Sequence, residues 1–185
     1  SIAAVVLSAA ATTLAWGLVN LSGAPLATAL GVGPTGFGAL ETALGLGGLV
    51  GAAVAARVVG RGERSALVAG LSVGAAGLGL AAVSNGFVGV AVGFVVGNGA
   101  RAVADVAVQH ALQSRTTDDV RARVLGASEA VTHVGFALAF ALGGPLVDTV
   151  GARSALGVAA ILALAGGVPV LSGRPGSADR GPPAR

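Results

Sequence analysis

The sequence predicts an all-α integral membrane protein with six transmembrane helices, and three observations carry that expectation. Hydrophobic residues make up 54% of the chain and charged residues 10%, with a mean hydropathy of +0.87, whereas an ordinary soluble domain is about a quarter charged. Six apolar runs recur, each close to the roughly 20 residues a helix needs to cross about 30 Å of hydrocarbon. The arginines that separate the runs alternate in abundance from one connection to the next, as they do when successive connections lie on opposite sides of a bilayer.

The runs fall at about 2–21, 36–56, 65–83, 87–109, 124–147 and 154–172. The first connection, Ser22 to Thr35, is uncharged and rich in Gly and Pro; the second holds Arg57, Arg61 and Arg64; the third, Ser84 to Gly86, is uncharged. The fourth, His110 to Arg123, holds Arg115, Arg121 and Arg123, and the fifth holds Arg153 alone. Residues 173–185 add three arginines, three prolines and no apolar run, the pattern of a disordered cytoplasmic tail. The second and fourth connections and the tail thus carry nine arginines against one in the odd-numbered connections. By the positive-inside rule both termini are cytoplasmic in a cell (plasma) membrane. The chain opens on Ser1 and contains no methionine, which points to a processed or truncated product.

A short repeat supports a further level of order. Gly62-Glu63-Arg64-Ser65-Ala66-Leu67 leads into the third run and Gly151-Ala152-Arg153-Ser154-Ala155-Leu156 into the sixth, sharing Gly, Arg, Ser, Ala and Leu in register. A unit of three spans places its second copy upside down, so the expected arrangement is two inverted three-helix repeats, an architecture of transporters.

Composition also excludes classes. The positive charge of +3 comes from arginine without lysine, and nothing resembles a basic patch with interleaved aromatics, so nucleic acid is not an expected partner. The absence of cysteine removes disulfides and thiolate sites, and His110 and His133 are too far apart to read as a metal pair. No metal and no cofactor are expected. A membrane enzyme is disfavoured because no run or loop offers a nucleophile with a base or a phosphate-binding loop.

Polarity inside the runs is sparse. Glu41 lies in the second run, Asn98, Arg101 and Asp105 in the fourth, and Glu129 and His133 in the fifth. Every fourth residue from Gly89 reads Gly89, Gly93, Gly97, Arg101, Asp105, Gln109, a face that permits close helix approach and then turns polar. An Arg or Asp facing lipid near mid-membrane costs roughly 2.5 to 3.5 kcal/mol on the insertion scale, so these groups should face a shared cavity formed by runs two, four and five, to which Trp16 and Asn20 of the first could add. The third and sixth runs would then be supports. At about 1.5 Å per residue, Arg101 and Glu129 lie at similar depths, roughly 12 and 9 Å from the cytoplasmic ends of their helices. That allows an interhelical pair, with Asp105 one turn away as the competing partner. His133 would sit one turn deeper than Glu129, and Asn98 and Glu41 would contact the cavity wall. Trp16 and Asn20 fall near the outer boundary of the first run, where Trp is an ordinary interface anchor. The pairs Gly47 with Gly51 and Gly70 with Gly74 read as close helix packing.

Taken together, these residues resemble the C-terminal six-helix half of a major facilitator superfamily transporter. The features are six spans with both ends inside, the arginine-rich second connection, and Gln109, Gln113 and Arg115 followed by Asp118, Asp119, Arg121 and Arg123. Within that superfamily they resemble the branch of bacterial drug and siderophore exporters. Gly144, Leu146, Asp148, Gly151 and Arg153 resemble the outward-facing copy of that family's Gly-x-Leu-x-Asp-x-x-Gly-x-Arg loop signature. The Arg57 to Arg64 connection resembles the cytoplasmic copy but lacks its acidic residue. The resemblance implies proton-coupled efflux of small hydrophobic or amphipathic molecules by alternating access, with a small-molecule substrate, protons, the lipid bilayer and a second six-helix half (a missing N-terminal domain or another copy) as partners. The alternative is a non-transporting scaffold or accessory half-protein.

Overall fold

Close helix packing in an apolar solvent needs small residues at the contacts, and glycine organises this bundle. The computed structural model describes residues 2–114 and 116–167, with the backbone alone for residues 2–9. Its helices are α1 (Ile2–Ala29), α2 (Gly33–Val58), α3 (Glu63–Val83), α4 (Phe87–Ser114), α5 (Asp118–Val150) and α6 (Ala152–Ala165), with a 3-10 turn, Val59–Arg61, between α2 and α3. No strand occurs among the described residues. Among the described residues, four helices are long and apolar enough to cross a membrane: α2 with its 3-10 turn, α3, α4 and α5. The described part of α6 is shorter. Arg115 and residues 168–185, which include the end of the sixth expected span and the expected tail, lie outside the described residues.

The helix α4 is the centre of the packing, gripped on one side by α3 and on the other by α2. A Cβ on Gly51 would lie 2.0 Å from the Gly99 carbonyl oxygen, and one on Gly47 would lie 2.4 Å from that of Val95, so α2 and α4 touch backbone to backbone. On the opposite side, Gly77 and Gly93 face each other's backbones, and a Cβ on Gly70 would lie 2.7 Å from the Ala100 carbonyl. The expected packing role of Gly47 and Gly51 is thereby met, as is that of Gly70. A second group is built on α1, which packs against α5 and α6; here Gly17 meets Ala139, and Gly143 meets Leu18 and Leu21. The helices α3 and α6 join the two groups.

Among the described residues, two apolar cores result. One gathers Trp16, Leu26, Leu40, Leu78, Phe94 and Leu156, and the other gathers Ala55, Val59, Leu67, Leu71, Val108 and Leu112. They lie toward opposite ends of the bundle. At the first end the Arg153 guanidinium donates to the Ser84 carbonyl, tying the α5–α6 corner to the α3–α4 corner. At the other end Glu63 and His110 approach to 3.2 Å, tying the start of α3 to the last turn of α4.

The helices α1 to α5 run further than the expected spans, and the connections shrink accordingly, whereas α6 ends at Ala165, capped by Gly166, short of the expected end at residue 172. The uncharged Ser22 to Thr35 connection is mostly helix: α1 continues through Pro25 to Ala29, and only residues 30–32 separate it from α2. Gly31 and Gly33 there have φ of 70° and 60°, which glycine adopts without strain. Proline inside a membrane helix is tolerated because neighbouring groups satisfy the freed backbone. At the fourth connection α4 reaches Ser114 and α5 starts at Asp118, with Asp118 and Asp119 in the first turn of α5, where carboxylates complement the helix dipole. The fifth contracts to Gly151, whose φ of 80° turns the chain from α5 into α6.

Candidate functional site

The face of α4 that begins as glycine becomes polar at Arg101, and it is there that a pocket opens. The cavity, about 220 Å³, is lined by Thr12 and Thr13 of α1, Arg101, Asp105 and Gln109 of α4, and Ser128, Glu129 and Thr132 of α5, with Leu67 of α3, Ala104 and Val108 as its apolar wall. Helix phase explains the set: Arg101, Asp105 and Gln109 follow one another at i+4, as do Ser128 and Thr132. Of the helices expected to surround the cavity, α1, α4 and α5 do so, α1 through Thr12 and Thr13 and not through Trp16 or Asn20, and α2 does not.

Arg101 pairs with Asp105 on its own helix, with Nη2 3.3 Å from Oδ2 and the two side chains 31% and 47% exposed. Of the two partners that the sequence allows, the i+4 carboxylate is the bonded one, and Glu129 shares the pocket without bridging to Arg101. Similar depth brought Arg101 and Glu129 to one cavity, but a side chain one turn away on the same helix needs no second helix to reach it. The guanidinium of Arg101 also lies over the Trp16 ring, 5.1 Å from its centroid. A cation over an indole face is attracted by the ring quadrupole. Its Nε is buried without a hydrogen-bond partner.

Trp16, by contrast, is a correction. It is 4% exposed and belongs to the apolar core. Since α1 extends to Ala29, position 16 falls near the middle of the helix and not at its boundary. Asn20 caps this arrangement by donating its side-chain amide to the Trp16 carbonyl at 2.8 Å.

The remaining expected residues are placed elsewhere. Asn98 donates to the Leu44 carbonyl at 2.7 Å, so its amide clasps α4 to α2 and does not line the pocket. His133 is exposed, with Nδ1 2.7 Å from the Glu129 carbonyl of its own helix, and it too is outside the pocket lining. Glu41 is half-buried against α1, with a carboxylate oxygen beside Gly23. The hydroxyls of Thr12, Thr13, Ser128 and Thr132 went unnoticed in the sequence, although Ser128 and Thr132 flank Glu129 on the same helical face.

Of the connection arginines, Arg57 donates to the Ala53 carbonyl at 2.9 Å and Arg61 to that of Arg57 at 2.6 Å. Arg121 pairs with Asp118 at 2.6 Å, the i–3 residue in the first turn of α5. Arg64 and Arg123 are exposed. Arg115 lies outside the described residues. In the α5–α6 motif, Gly144 is half-buried, Asp148 is exposed, Gly151 makes the turn and Arg153 holds Ser84. No group of three His, Asp or Glu side chains converges to hold a metal ion among the described residues.

The arrangement is a small amphipathic cavity in a membrane bundle, with one fixed cation, two carboxylates and several hydroxyls. It can hydrogen-bond a small molecule and can hold or release protons at its carboxylates. Residues 5–185 match the family model described as Major Facilitator Superfamily. A search of curated proteins found no match.

Proposed function

Because the chain belongs to the Major Facilitator Superfamily, whose members are transporters, we propose that it is the C-terminal six-helix half of a secondary carrier and that the α1–α4–α5 pocket forms part of its pathway. The observation that carries this reading is the seating of Arg101, an always-protonated group held by Asp105 and Trp16 and sharing a cavity with Glu129. An ionised residue inside a membrane helix points to a pathway or relay.

In this reading the carrier exchanges protons for small hydrophobic or amphipathic molecules and exports them. Asp105 and Glu129 take up and release the proton. When Asp105 is protonated, its hold on Arg101 weakens and the guanidinium is free to turn to Glu129 or to a polar group of the cargo; deprotonation restores the pair. Leu67, Ala104 and Val108 receive the cargo's apolar part, and the threonine and serine hydroxyls and Gln109 orient its polar part. Asn98 serves the pathway by fixing α4 to α2. Glu41 and His133 stand outside the pocket and act where a second six-helix half closes over them. Transport proceeds by rocking of the two halves, each built of two inverted three-helix repeats. Arg57, Arg61, Arg64, Arg115, Arg121 and Arg123 keep their ends in the cytoplasm of a plasma-membrane protein. Gly144, Asp148, Gly151 and Arg153 shape the outer corner.

The test is flux. The chain, joined to an N-terminal six-helix partner and reconstituted in liposomes with a pH gradient, should move an amphipathic dye, and D105N or E129Q should slow that movement about tenfold or more. Stable assembly without flux would overturn the proposal and favour a scaffold.

A further inference from the structure

The helices α2 and α3 both grip α4 yet barely touch each other. Between them lies an open trough with α4 as its floor, about 580 Å³ in volume, within the range of roughly 300–1,000 Å³ of small-molecule sites. Its wall is apolar apart from Ser65 at one end. Val50, Val54, Val73 and Val96 line it and stand 60%, 42%, 48% and 38% exposed.

Length and charge identify the occupant. The trough follows α2 from Val58 to Gly47, a distance of roughly 16 Å at 1.5 Å per residue, which is about half of a 30 Å hydrocarbon core. It therefore has the length of one leaflet and of one lipid tail. The helical stripe through Val50 and Val54 continues at i+3 to Arg57, and Arg61, the last residue of the following 3-10 turn, donates back to the Arg57 carbonyl, so cations stand at the same end as Ser65 and Val58. Both arginines are exposed, and each spends an N–H on a backbone carbonyl, Ala53 for Arg57 and Arg57 for Arg61; a guanidinium has five donors, so donors remain for an anion. The neighbouring carboxylate, Glu63, approaches His110 at 3.2 Å. Arg64, exposed at the same turn, is engaged within the chain.

We propose that this trough is a binding site for an anionic phospholipid, with one acyl chain along α4 between α2 and α3 and the headgroup phosphate at Arg57 and Arg61. Basic residues beside a gap between membrane helices are suited to anionic headgroups. The inference rests on these helices crossing a bilayer and is independent of the transport reading.

The purified chain, stripped with detergent, is exposed to matched palmitoyl-oleoyl phosphatidylglycerol and phosphatidylcholine, and retained lipid is counted by native mass spectrometry. One phosphatidylglycerol per chain should be retained about tenfold more strongly than phosphatidylcholine. R57Q with R61Q should erase that preference, while A69F or V96F, which fill the trough from α3 or from α4, should lower retention of both lipids. Two fillings from different helices guard against one variant failing to fold. Equal retention of the two lipids by the wild type, or a preference that survives both the arginine and the filling variants, overturns the site. So does a trough-dependent dimer in the absence of lipid, which would assign the surface to a second copy.

Discussion

Arg101 reaches Asp105 one turn along its own helix, with Nη2 3.3 Å from Oδ2, although Glu129 lines the same cavity. This choice of partner has an energetic consequence. Both side chains are partly exposed, and pairs of this spacing contribute about 0.3–0.5 kcal/mol, too little to hold the bundle together. D105N should therefore leave thermal stability within about 0.5 kcal/mol of wild type while reducing proton-driven flux about tenfold or more. A large fall in stability with flux retained would show that the pair is structural. In a double-mutant cycle on stability, Arg101 should couple to Asp105 and not to Glu129.

The α2–α4 contact is the most demanding in the bundle. A Cβ at Gly51 would lie 2.0 Å from the Gly99 oxygen, whereas one at Gly45 meets nothing within 4 Å. G51A should destabilise by about 1–3 kcal/mol through overpacking. G45A, with the same change in helix propensity, should be neutral or stabilising by up to about 1 kcal/mol. Thermal unfolding in lipid nanodiscs compares the two; equal effects would show that α2 and α4 are not in backbone contact.

Asn98 links the same helices by polarity. Interhelical hydrogen bonds in membranes are worth about 0.6 kcal/mol on average and up to about 1.7, so N98A should lower stability by about 1 kcal/mol. The substrate concentration for half-maximal flux should stay within about twofold. A selective change in apparent affinity at unchanged stability would instead return Asn98 to the cavity wall.

Arg153 spans two corners by donating to the Ser84 carbonyl. R153A should speed amide exchange in residues 84–88 and around Gly151 several-fold, with little change at the Glu63–His110 end. R153K, which keeps the charge but lacks the planar fork, should fall between wild type and R153A. Uniform exchange across the bundle in R153A would show that the corner is held by other contacts.

The membrane character, the helix order and the role of glycine on α4 are legible in the sequence because they depend on composition and on spacing along one helix. The reach of each helix is less so. Gly, Pro and charged residues at Ser22 to Thr35 and His110 to Arg123 suggest loops in water, but a helix leaving the hydrocarbon retains its hydrogen bonds, and Pro25 removes only one donor. The site divides in the same way. Arg101, Asp105 and Glu129 stand out because ionised groups are rare in such helices. The direction in which Asn98 and His133 turn depends on helix rotation, which similar depth does not determine. Trp16 was misplaced because its helix is longer than its apolar core, and the pocket hydroxyls carry no signal of their own until Glu129 supplies the phase.

The central claim is that the polar face shared by α1, α4 and α5 meets water within the membrane. The chain contains no cysteine, so single cysteines can be introduced and probed with a membrane-impermeant methanethiosulfonate reagent in sealed vesicles of both orientations. Cysteines at Ser128, Glu129 and Thr132 should react, and those at Leu49, Val92 and Leu164 should remain unmodified. Protection of the first three together with modification of the second three would contradict the account.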